Sequence, residues 1–226
     1  MDPNLRQTYL AELVDRILDF SAVWPQFLKA CEEFDKRSVS ADQGRVNRWR
    51  VRKFAADVLQ TAAQIGRILD PQPMRGTDEF RAGCRARGEA LRVELRVPPD
   101  SPLLERGLRN ALEHIDEHID RWVAENPVRP LETWAFTTTA AGDAPLEGAI
   151  RRIHVRTHDV FVLGECANLD RIHDAVETLA RALPAVQRTE MLLRFDDPST
   201  GASDVIAVNR VLNAGERIPD PEPPRK

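Results

Sequence analysis

From Leu5 to Trp122 the apolar residues of this chain recur three and four positions apart, a spacing that restricts the first 125 residues to amphipathic helices. Leu10, Leu13, Ile17, Phe20, Trp24 and Phe27 mark a first stripe within residues 5–35, and Pro25 inside it predicts a kink or a split. Residues 36–44 are polar and read as a connection. A second stripe covers residues 45–70 through Val46, Trp49, Phe54, Val58, Ile65 and Leu69, and Pro71 and Pro73 stop it. Residues 78–94 predict a third helix, weakened by Gly83 and Gly88. After Pro98-Pro99, a cap at Asp100 or Ser101 starts a fourth helix over about 102–125, with Leu104, Leu108, Leu112, Ile115, Ile119 and Trp122 on one face.

Beyond Asn126-Pro127 the pattern changes. Residues 134–139 favour a strand. Ile150 to Val155 and Val160 to Leu163 predict a hairpin turning at Thr157-His158-Asp159. A helix follows from Asn168 or Asp170 and stops at Pro184, and Met191 to Phe195 and Val205 to Leu212 predict two short further elements. The expected fold is α+β. A four-helix bundle-like domain occupies residues 1–126, a β-hairpin and helix part follows over 127–214, and residues 215–226 form a disordered proline-rich tail.

With 42% apolar and 30% charged residues the chain is of globular composition. It holds no apolar run of membrane-spanning length and does not open on a basic segment followed by an apolar one, so the expectation is a cytoplasmic protein with no membrane partner. Cys31, Cys84 and Cys166 are widely spaced and form no CxxC pair, which predicts reduced, mostly packed thiols rather than disulfides or a zinc cluster. The net charge is −4, so contact with nucleic acid would need a local basic patch. Arg45, Arg48, Arg50, Arg52 and Lys53, with Trp49 among them, offer one: guanidinium groups grip phosphates and an indole stacks on a base. The structural alternative makes Trp49 part of the core and the bases a solvated face.

The residues that carry chemistry lie in the fourth helix, in Arg109-Asn110-Ala111-Leu112-Glu113-His114. Histidine can take the proton of a ribose 2′-hydroxyl or give one to a leaving oxygen, because its pKa sits near neutrality. Arginine stabilises charge on a pentacoordinate phosphorus, and Asn110 can orient the imidazole or a phosphate oxygen. On a regular helix Arg109 and His114 fall on different flanks of the apolar stripe, so one phosphate meets both only in a two-fold dimer or at a distorted turn. The structural alternative pairs Arg109 with Glu113 and leaves His114 in solvent. His114 and His118 stand one helical turn apart, as metal ligands can, but HIDEH is not HExxH. His154 and His158 repeat the spacing across a hairpin turn and point differently. Cys166 follows Gly164-Glu165 just after a strand and reads as a buried thiol. The chain carries no GxSxG, phosphate-loop or GxGxxG motif.

An arginine, a polar residue and a histidine five positions after the arginine, on a helix of a helical bundle, resemble the HEPN (higher eukaryotes and prokaryotes nucleotide-binding) superfamily. The resemblance covers residues 5–125 and rests on the hexapeptide RNALEH. It implies a metal-independent, cofactor-free endoribonuclease that works as a homodimer on RNA, with Arg109 and His114 catalytic and Asn110 supporting them. It further implies a toxin–antitoxin or antiviral defence setting, with an antitoxin or another defence protein as partner. The β-rich C-terminal part departs from a minimal HEPN domain. The alternative function is a non-catalytic interaction or adaptor protein of a bacterial defence or regulatory system.

Overall fold

The computed structural model describes residues 1–36, 40–73, 75–126, 134–137 and 149–195. Helix α1 (Pro3–Asp35) starts where the Asp2 carboxylate accepts the backbone N–H groups of Asn4 and Leu5 at 2.9 and 3.0 Å. It runs unbroken through Pro25, so the expected split does not occur. A proline removes one helical N–H; here Phe20, Trp24 and Phe27 around it are buried, and their packing holds the helix together.

Helix α2 (Ala41–Leu69) begins four residues before the apolar stripe that predicted it. The Ser40 hydroxyl accepts the Gln43 N–H at 3.1 Å, so a polar cap nucleates a first turn that has nothing to bury. Asn47 is buried, and its amide donates to the Glu33 carbonyl at 2.9 Å. This bond ties the start of α2 to the end of α1, and the two form a helical hairpin. Helix α3 (Asp78–Glu94) has the predicted bounds and is capped by Thr77. Gly88 costs α3 helical propensity but lets it approach the end of α2, since a Cβ there would lie 2.8 Å from the Leu69 carbonyl oxygen.

The expected fourth helix is three pieces: a 3₁₀ turn at Pro102–Leu104, α4 (Arg106–Glu113) and α5 (Ile115–Glu125). Extended backbone at Glu105 makes the first break, and His114, at φ −108° and ψ 26°, makes the second. No side chain caps either new helix start. At α4 the Glu165 carboxylate lies against Gly107 in the first turn, where a negative charge suits the helix dipole.

The C-terminal part supplies a four-stranded sheet in the order β1 (Ala135–Thr137), β2 (Arg151–His154), β3 (Asp159–Val162) and β4 (Glu165–Asn168). The β1–β2 pair is parallel and the other two pairs are antiparallel, β2–β3 being the expected hairpin. The sequence did not announce β4. Its turn consists of Leu163 and Gly164 at φ 53° and 90°, a tight primed turn without the usual Asn-Gly signature. Helix α6 (Leu169–Ala182) starts at the cap Asn168, as expected. Helix α7 (Ala185–Phe195) starts just after Pro184, earlier than the expected Met191. The end of the first predicted strand at 138–139, the element at Val205 to Leu212 and the tail from Gly215 lie outside the described residues.

The architecture is α+β and mostly helical. One apolar core joins α1 and α2, through Phe27 and Leu59, to the sheet and α6, through Ile153, Val160 and Leu169. Among the described residues no helix is long and apolar enough to cross a membrane.

Candidate nucleic-acid interface

Arg109 is 5% exposed, and its guanidinium reaches Asp70 just past the end of α2, at 3.5 Å from both the carbonyl oxygen and Oδ2. The partner expected within the helix, Glu113, instead accepts from Arg67 of α2 at 2.5 Å. Asp70 also receives Arg106 at 2.9 Å and stands 3.5 Å from Arg92. Burial acts to raise the Asp70 pKa, but the hydrogen bond from Arg106 and the charges of Arg106 and Arg109 outweigh it and hold the carboxyl below its ordinary range.

His114 sits at the α4–α5 break with its side chain 54% exposed, and its Nδ1 lies 3.1 Å from Glu117 Oε1. Asn110 is exposed, and its carbonyl accepts the His114 N–H at 3.0 Å. Within one chain Arg109 is therefore directed inward to Asp70 while Asn110 and His114 face solvent. The helix break falls after the arginine and does not bring the two chemistries to one point. The His118 side chain lies outside the described residues.

A cleft of about 750 Å³ runs along α2, closed by α4 and by the edge of the sheet at Trp134 and Arg151. Arg52, Lys53, Arg67, Arg109 and Arg151 reach it, against two carboxylates, Asp57 and Glu113. Lys53 pairs with Asp57 at 2.6 Å and Arg67 with Glu113, which leaves positive charge in excess. Arg52 and Arg151 have no carboxylate partner among the described residues. Burial and then the like charge of Arg52 push the Arg151 pKa down, although arginine stays protonated. Arg151 lies over the Trp134 ring, 5.3 Å from its centroid. Trp49 stands at the rim, 50% exposed, so it is not the core residue that the apolar stripe implied.

The five-base cluster on α2 does not form one patch. Helical pitch turns Arg50 to Glu33 of α1 at 2.7 Å. Arg45 pairs with Asp42 beside it, and Arg48 is exposed away from the cleft. Only Arg52 and Lys53, with Trp49, enter the cleft. Sequence reasoning missed Arg67, Gln60 and Gln64, although they continue the Trp49–Lys53 face of α2 at helical spacing. Arg151 and Trp134 had no local signal, because only the packing of the sheet brings them to α2.

His154 is buried and accepts the Thr157 N–H at 3.1 Å, while His158 pairs with Asp170 at 2.9 Å, so the two do point differently. Cys31 is buried, and desolvation pushes its thiol up to about 12; Cys166 is exposed, not the buried thiol expected. His173, Asp174 and Glu177 of α6 hold ligand atoms within 4.8 Å of one another, a grouping the sequence reading did not single out. The His173 ring stacks on Trp24 with centroids 4.6 Å apart.

Comparison with protein families, curated proteins and solved structures finds no match to this chain.

Proposed function

We propose that this chain binds RNA through the cleft along α2. One observation carries the reading: Arg52 of α2 and Arg151 of β2, on different elements, line the same cleft, close enough for the charge of Arg52 to act on Arg151. In a chain with more acidic than basic residues, two like charges lining one cleft cost stability, and an anionic ligand relieves that cost. Phosphate is the anion that guanidinium forks fit best. An exposed indole beside the pair suits a ligand that carries bases as well as phosphates.

The test is fluorescence anisotropy of a labelled mixed-sequence oligoribonucleotide at low salt. The wild type binds, and R52E with R151E abolishes binding while circular dichroism stays unchanged. Absent binding by the wild type, or equal binding by the charge-reversed variant, overturns the reading.

A second reading makes the protein a metal-independent endoribonuclease of the HEPN kind, a toxin or defence component acting as a homodimer, with α1 to α5 as its bundle-like part. The His114–Glu117 contact favours it. A carboxylate on Nδ1 fixes the tautomer and presents Nε2 for proton transfer, as in other acid/base histidines. Because Arg109 points to Asp70, charge stabilisation at His114 would have to come from the second subunit. In this reading the wild type cleaves RNA in EDTA and H114A does not. Intact RNA after prolonged incubation with the wild type leaves binding without cleavage.

A further inference from the structure

The polar face of α2 that lines the cleft runs from Trp49 to Arg67 through Lys53, Gln60 and Gln64. The eighteen steps from Trp49 to Arg67, at 1.5 Å each, make this face about 27 Å long. That is far longer than one phosphate or one mononucleotide requires. Charge, amide and indole follow one another along it: Trp49 at the rim, the Arg52–Arg151 pair one turn on, then the two glutamines, then Arg67. Trp49 and Arg52 are three residues apart and neighbours on one helix face, as a base and its adjoining phosphate are neighbours along a strand. The opposite wall is the Trp134–Arg151 stack, which fixes where the second guanidinium stands.

Resting on the RNA-binding reading, we infer that the cleft takes a single strand, with one phosphate seated between Arg52 and Arg151, the adjoining base on the Trp49 indole and four or more nucleotides along α2. A duplex hides its base faces, so Trp49 would gain nothing from it. A footprint of four or more nucleotides lies at the short end of the roughly 4–16 known for single-strand binders. Gln60 and Gln64 offer both donors and acceptors, so they can meet sugar or base edges without selecting one base.

The experiment compares four fluorescein-labelled probes on the full chain by anisotropy: an eight-residue oligouridylate, its deoxy counterpart, an abasic oligomer of equal length and a blunt RNA duplex. The oligouridylate binds roughly tenfold tighter than the abasic strand, in line with stacking at one aromatic platform. W49A removes that difference, and the duplex binds no better than the abasic strand. Shortening the oligouridylate to two residues weakens binding at least tenfold. Equal affinity for uridylate and abasic strands, or tighter binding of the duplex, overturns the single-strand assignment and leaves phosphate binding standing. Binding of no probe overturns the RNA-binding reading itself. Tighter binding of the deoxy strand keeps the single-strand site and makes DNA its ligand.

Discussion

Arg109 is held against Asp70 and not against Glu113, its neighbour one turn away on the same helix. This contact turns the arginine of the RNALEH hexapeptide inward, beneath the cleft, and makes it one of three guanidinium groups around one carboxylate. Asp70 is thus the anion that joins the ends of α2 and α3 to the start of α4.

Its titration follows from that role. The folded-state pKa of Asp70 is depressed below its unfolded value, so its contribution to stability is fully present above about pH 4. That contribution is lost as pH falls through the lower folded-state value. D70N should cost about 2 kcal/mol at pH 7, since it leaves the buried Arg109 without its counter-charge. Urea denaturation at pH 7 and at pH 3 measures both effects, and the gap between wild type and variant should shrink at the lower pH.

Gly66 and Gly83 make a matched pair. A Cβ at Gly66 would overlap the Leu103 carbonyl oxygen, whereas Gly83 has nothing within 4 Å. G66A should destabilise by about 2 kcal/mol, because overpacking against backbone outweighs the gain in helix propensity. G83A should stabilise by about 0.5–1 kcal/mol through propensity alone. Thermal melts of the two variants check the sign of each.

Cys166 is exposed and Cys31 is buried with its pKa pushed up to about 12. Iodoacetamide at pH 8 should therefore label Cys166 within minutes and leave Cys31 unmodified until denaturant is added. Peptide mass mapping over time reads the order directly.

Arg151 should show opposed effects on stability and binding. R151M keeps the packing on Trp134 and removes the repulsion with Arg52, so the free protein should melt at the same temperature or slightly higher. Oligoribonucleotide affinity should fall about tenfold, the loss of one charge-assisted phosphate contact. A variant that melts lower and binds equally well would show Arg151 to be structural.

The parts of the fold legible in the sequence were those set by local pattern. The bounds of α3 followed from its local pattern, α6 begins on the Asn168 cap and stops before Pro184, and the β2–β3 hairpin follows from alternation. The continuity of α1 was not legible, because burial of Phe20, Trp24 and Phe27 overrides Pro25. The break at His114 was not legible either, because the apolar spacing continues through it while the backbone does not. For the site, the hexapeptide pointed to side chains without saying where α4 would aim them. The basic run on α2 was visible, but helical pitch divides it between Glu33 and the cleft. Arg151 and Trp134 lie 99 and 82 residues from Arg52 in sequence. Only the shared core brings them to Arg52, which no window along the chain can reveal.

A cleft that grips a phosphate backbone releases counterions on binding, so affinity falls as salt rises. With the oligouridylate, log Kd against log salt should be linear, each neutralised phosphate adding about 0.7 to the slope. The phosphate at the Arg52–Arg151 pair predicts a slope of at least about 0.7, and R52A should lower the slope. A wild-type slope near zero, or one that R52A leaves unchanged, would show that the cleft does not hold a phosphate backbone.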